Sequence, residues 1–119
     1  MAWSFTSDRA VYFQIAERIV SSILAEKYVP GEQLPTVRQL ALEAAVNPNT
    51  VPRAFSELEN DGIIVSRGTL GRFVTEDEEV IRTCRDKQAK QMTENYVHSM
   101  QKLSLTKEQV IAMIEEVTG

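Results

Sequence analysis

The stretch PGEQLPTVRQLALEAAVNPNTVPRAFSELENDG, Pro30 to Gly62, decides how this chain folds. Pro30-Gly31 closes a loop that begins at Tyr28, and Thr36 is placed to cap a short helix carrying Val37, Leu40, Ala41 and Ala44 along one side. That helix is expected to end near Ala45. Asn47-Pro48-Asn49 is a turn tripeptide, and Asn49 is expected to cap a second short helix whose apolar face is Val51, Phe55 and Leu58. Pro52 falls in the first turn of that helix, where a missing N–H has no helical partner to lose. Asp61-Gly62 stops it.

Upstream, Ile15, Ile19 and Ile23, flanked by Ala16, Val20 and Leu24, recur at helical spacing and predict one helix over about Val11 to Lys27. Downstream, Ile63-Ile64-Val65-Ser66 is rich in β-branched residues, and Gly68, Gly71 and Phe73-Val74-Thr75 follow, so Ile63 to Thr75 reads as a hairpin. Phe73 and Val74 are expected to cover the interior. The acidic run Glu76-Asp77-Glu78-Glu79 suits the first turn of a helix, and no Gly or Pro follows it until Gly119. Along that helix Val80, Ile81, Cys84, Met92, Tyr96, Met100 and Leu103 form a thin apolar line. Thr106 with Gln109 makes a capping box before a last helix bearing Val110, Ile111, Ile114 and Val117.

The expected fold class is mainly α with a small β-hairpin: a winged helix-turn-helix over residues 1–75, followed by two C-terminal helices over 76–119. In such a fold the helix after the turn enters the DNA major groove. With 119 residues, 43% hydrophobic and 25% charged, the composition is that of one ordinary folded domain or a small domain with an appendage. Cys84 is the only cysteine and His98 the only histidine, so no multi-cysteine metal site is possible and no catalytic constellation is visible. No cofactor and no metal are expected. No run approaches the roughly 18 apolar residues of a membrane span, and the start, MAWSFTSDRA, lacks a basic segment leading an apolar one, which together predict a cytoplasmic protein.

The match to a known pattern lies in Pro30-Gly31-Glu32-Gln33-Leu34-Pro35-Thr36-Val37-Arg38-Gln39-Leu40-Ala41, continues through Asn47-Pro48-Asn49-Thr50-Val51, Arg53-Ala54-Phe55, Glu57-Leu58-Glu59 and Asp61-Gly62, and closes with Gly71-Arg72-Phe73-Val74. In this it resembles the GntR family of bacterial transcription regulators over roughly Val11 to Val74. Only 45 residues follow Val74, too few for the large effector domain usual in that family. The resemblance is therefore to the YtrA-like subfamily, in which two helices after the winged domain serve dimerisation. It implies a homodimer on double-stranded operator DNA, acting as a repressor at an inverted repeat. No small-molecule effector is identified by any residue.

The resemblance places a DNA-contacting arginine at Arg38, for a phosphate or a guanine edge, against the alternative of a surface pairing with Glu43. Thr36, Asn47, Asn49 and Thr50 stand at helix N-termini, where cap chemistry and DNA contact are compatible. Many family members carry an arginine where this chain has Pro52; the subfamily pattern instead supports Arg53, as a phosphate contact or as an i,i+4 partner of Glu57. In the wing Arg67, Gly68, Thr69 and Arg72 are candidates for backbone or minor-groove contact, in a stretch one residue out of the usual family spacing. Met92, Tyr96, Met100, Val110, Ile111 and Ile114 are candidates for the dimer interface or for packing within the chain. The competing function is a winged helix used as a protein-interaction module. Acidity counts in its favour, because 13 Lys+Arg face 17 Asp+Glu for a formal charge of −4. Residues 1–74 contribute −1 and residues 75–119 contribute −3, so any attraction to DNA has to come from local placement of arginines.

Overall fold

A spacing of four residues puts Ile15, Ile19 and Ile23 on one side of a helix, and in the computed structural model, which describes residues 2–119, all three are buried on α1 (Val11–Leu24). Their partners are Leu40, Ala41 and Ala44 from α2 (Val37–Ala44) and Val51, Ala54, Phe55 and Leu58 from α3 (Val51–Asn60). The α1–α3 contact is the most extensive between helices. Each large side chain removed from water here contributes about 1.5–3 kcal/mol, and Phe55, Ile15 and Val51 are almost completely enclosed.

Local chemistry sets the helix ends. Thr36 accepts a hydrogen bond from the Gln39 amide at 3.1 Å while Gln39 accepts one from the Thr36 amide at 2.8 Å, a closed capping box. Ala45 ends α2 in the left-handed region (φ +59°), and the Val46 amide bonds back to the Ala41 carbonyl. The next cap differs from expectation. Asn47, not Asn49, is the capping residue: its Oδ1 accepts from the Asn49 amide at 2.9 Å and opens a single 3₁₀ turn, Pro48–Thr50, that runs into α3. Pro48, with its fixed φ and no N–H, fits the first position of that turn, which moves the cap two residues upstream.

Two short strands, β1 (Ile64–Ser66) and β2 (Arg72–Val74), form the antiparallel hairpin in the register Ile64 to Val74, Val65 to Phe73 and Ser66 to Arg72. The other edge of β2 is also occupied. The Gly31 amide donates to the Val74 carbonyl, the Val74 amide to Glu32, and the Leu34 amide to Arg72 at 2.8 Å, while Gln33 bridges Phe73. Sequence reading treats residues 28–35 as a loop; half of it is an edge segment of the wing. Val74 is fully buried as expected, whereas Phe73 is only half-buried.

Helix α4 (Glu78–Lys102) begins at Glu78 rather than Glu76, with Asp77 accepting from the Glu79 amide at 3.0 Å. Helix α5 (Lys107–Thr118) starts from the Thr106–Gln109 capping box. The chain divides into two compact units, Met1–Thr83 and Cys84–Gly119. In the second unit Val110 is the buried apolar residue, whereas Met92, Tyr96, Val97, Leu103, Ile111, Met113, Ile114 and Val117 are exposed.

Candidate nucleic-acid interface

Packing the apolar sides of α2 and α3 leaves their polar N-terminal turns outside. Thr36, Arg38, Asn47 and Asn49 are exposed and Thr50 is half-buried. Arg38 does not pair with Glu43; among the described residues it makes no ion pair and no side-chain hydrogen bond. It stands at a cleft of about 290 Å³ lined also by Gln33, Pro35, Thr36, Phe55 and Arg72. This cleft joins the α2 N-terminus to the wing.

The other three arginines singled out from sequence have partners within the first unit. Arg53 turns away from Glu57 and lies over the Tyr12 ring of α1, 4.0 Å from its centroid. Arg67 lies over Phe73 at 4.7 Å and reaches Glu76 at 3.5 Å, with just under half of its side chain exposed. Arg72 is held most firmly: its Nε donates to Glu59 Oε1 at 2.7 Å, and its guanidinium sits 4.7 Å from the centre of Phe55. One third of the Arg72 side chain remains accessible. A cation and a carboxylate so joined present a much smaller net field than a free guanidinium, so Arg38 and Arg53 are the two of the four whose charge no carboxylate offsets.

The wing tip is the 3₁₀ turn Gly68–Leu70, in which Gly68, Thr69 and Leu70 are all exposed. Gln33 Nε2 donates to the Leu70 carbonyl at 2.7 Å. A Cβ at Gly71, which has φ +106°, would lie 2.9 Å from that nitrogen, so glycine is what lets Gln33 approach.

Sequence reasoning missed Tyr12, Gln33, Glu59 and Leu70. Tyr12 and Glu59 carry no local signal, because their partners Arg53 and Arg72 lie on other elements. Of the interface candidates in the second unit, Met92, Tyr96, Ile111 and Ile114 are exposed and Met100 is half-buried. Val110 is the exception: at 8% exposure it is already covered within its own chain. His98 is exposed and belongs to no group of residues able to hold a metal ion among the described residues. No helix among them is long and apolar enough to cross a membrane.

Comparison with known proteins accords with this geometry. Residues 11–74 match the family described as bacterial regulatory proteins, gntR family. The chain is 37% identical over 114 residues to the uncharacterized HTH-type transcriptional regulator YhcF of Bacillus subtilis, covering 96% of this chain and 94% of that one. It is 38% identical over 71 residues to the HTH-type transcriptional repressor YtrA of the same organism, covering 60% of this chain and 55% of YtrA. The solved structure of a GntR family transcriptional regulator from Listeria monocytogenes superposes with a TM-score of 0.86 at 38% identity, covering 94% of this chain and 98% of that one. The winged helix-turn-helix, the motif spacing and these likenesses together make this chain a member of the GntR family of transcription regulators.

Proposed function

We propose that the chain is a homodimeric, sequence-specific repressor that binds an inverted-repeat operator, with α3 in the major groove and the wing against the flanking duplex. The observation that carries this reading is the convergence of exposed polar and cationic side chains, Thr36, Arg38, Asn47, Asn49 and Arg53, on the N-terminal turns of the two helices around the turn. Amides at such turns favour phosphate, and short polar side chains beside them reach base edges. Arg38 is the residue we assign to base or phosphate contact. Arg53, braced on Tyr12, serves the backbone.

Dimerisation rests on the second unit, where Met92, Tyr96, Ile111 and Ile114 leave apolar surface in water. Two-fold symmetry then requires two half-sites, about 34 Å between centres or a multiple of that. Repression is supported by the likeness to the Bacillus subtilis transcriptional repressor YtrA. With only two of the four candidate arginines, Arg38 and Arg53, free of carboxylates, nonspecific attraction is modest, and a dimer making roughly four phosphate contacts should show a salt slope near −3.6. Selecting duplexes from random DNA with the full chain, then footprinting them, tests the reading. A bound inverted repeat is the expected result. Failure to retain any duplex at low salt, with tight capture of a protein partner, would replace this reading with that of an interaction module.

A further inference from the structure

We propose that Leu70 is an apolar wedge that the wing drives into the minor groove beside the half-site, selecting base steps that unstack readily, and that Gln33 is the positioning residue that holds it there. The inference rests on the DNA-binding reading above and adds a specificity determinant to it. Leu70 is 67% exposed at the outermost turn of the hairpin. Single exposed leucines are common on protein surfaces. What sets this one apart is its setting.

The tip, Gly68-Thr69-Leu70-Gly71, carries no charge, and the arginines on either side are turned back, Arg67 onto Phe73 and Glu76 and Arg72 onto Phe55 and Glu59. Phosphate attraction is therefore not what this turn offers. The tip is also clamped: the Arg67 amide bonds the Gly71 carbonyl at 2.9 Å, the Leu70 and Gly71 amides bond back to Arg67 and Gly68 at 3.2 Å, and Gln33 holds the Leu70 carbonyl. Gln33 is itself fixed, because its segment pairs along β2. A backbone so held loses little further freedom on binding and presents Leu70 at a fixed place, which is the condition for a wedge rather than a floppy contact. Of the four tip residues only Thr69 and Leu70 carry side chains, the space beside Gly68 is open, and a minor groove about 6 Å wide admits only a slim element. Leucine is among the side chains that part base steps there, and pyrimidine–purine steps part at least cost.

The test uses the full chain and the duplex it selects from random DNA, in two versions, one with a TA step under the wing and one with a stiff A-tract there. Fluorescence anisotropy should show the wild-type chain preferring the TA version by roughly tenfold. Leu70→Ala should bring the two within about twofold, at unchanged thermal midpoint and unchanged salt slope. Gln33→Ala should give an intermediate loss, because the wedge is present but unclamped. Replacing A·T by inosine·cytosine under the wing, which preserves the minor-groove face, should leave wild-type affinity intact. Equal binding of both versions by the wild-type chain, an undiminished preference in Leu70→Ala, or a salt slope that changes with Leu70 would each overturn the wedge. If the wild-type chain selects no duplex at all, the DNA-binding reading itself falls; if it binds and only Leu70 proves indifferent, the wedge alone does.

Discussion

Replacing Arg72 tests whether this arginine is a strut between the wing and α3 or a contact to DNA. The structure gives it two attachments, a 2.7 Å hydrogen bond to Glu59 on α3 and a stacked position over Phe55. An exposed ion pair contributes about 0.2–1 kcal/mol and a well-made charged hydrogen bond about 1.5–3 kcal/mol. With a third of each side chain accessible, solvent screening places this pair between the two, near ~1 kcal/mol, and the ring contact adds roughly another 0.5–1 kcal/mol. Arg72→Ala should therefore cost about 1.5–2 kcal/mol, a fall of roughly 10 °C in thermal midpoint for a domain this size. A double-mutant cycle with Glu59→Gln, read by urea unfolding, should return a coupling near ~1 kcal/mol. The salt slope of operator binding should stay unchanged. Coupling below about 0.3 kcal/mol, or a slope that falls by roughly two for the dimer, would refute the strut and return Arg72 to the phosphates.

Arg38, exposed and making no ion pair or side-chain hydrogen bond among the described residues, should behave oppositely: Arg38→Ala is expected to weaken operator binding by ~1–3 kcal/mol in anisotropy titrations while the thermal midpoint holds. Ile111→Lys with Ile114→Lys places charge on the exposed apolar side of α5, and sedimentation equilibrium should show a dimer become a monomer; an unchanged association state would move the interface elsewhere. Tyr28 is half-buried, and burial first, then Glu43 and Glu32, pushes its phenol above the ordinary value. Because the folded-state value is raised, its stabilising contribution is present below the unfolded value of about 10 and is lost as pH rises through the folded value. Ultraviolet titration of the wild-type chain and of Tyr28→Phe should differ by one phenol ionising above the ordinary value; a difference component at or below the ordinary value would contradict it.

The sequence by itself determined the helices, the hairpin and the turn between α2 and α3, because these depend on residues close in the chain, about four apart in the helices and no more than ten in the hairpin. The isoleucines of α1, the Thr36 and Thr106 capping boxes and Asp61-Gly62 are signals of that kind. The Asn47 cap was close to legible; competition between two asparagines around one proline was resolved only by the geometry of the 3₁₀ turn. Residues 31–34 read as loop because pairing along β2 joins positions about 40 apart and leaves no periodic trace in so short a segment.

The candidate site divides the same way. Sequence placed Arg38, Arg53, Arg67 and Arg72 among the residues of interest, but an arginine's type does not say what its guanidinium will meet. Tertiary structure decided that: Tyr12 for Arg53, Glu76 with Phe73 for Arg67, Glu59 with Phe55 for Arg72, and, among the described residues, no ion-pair or hydrogen-bond partner for Arg38. It also placed Gln33 against Leu70, 37 positions away. Local periodicity fixes which residues share a face of one element; only packing brings different elements close enough for a charge to be neutralised, stacked or left free.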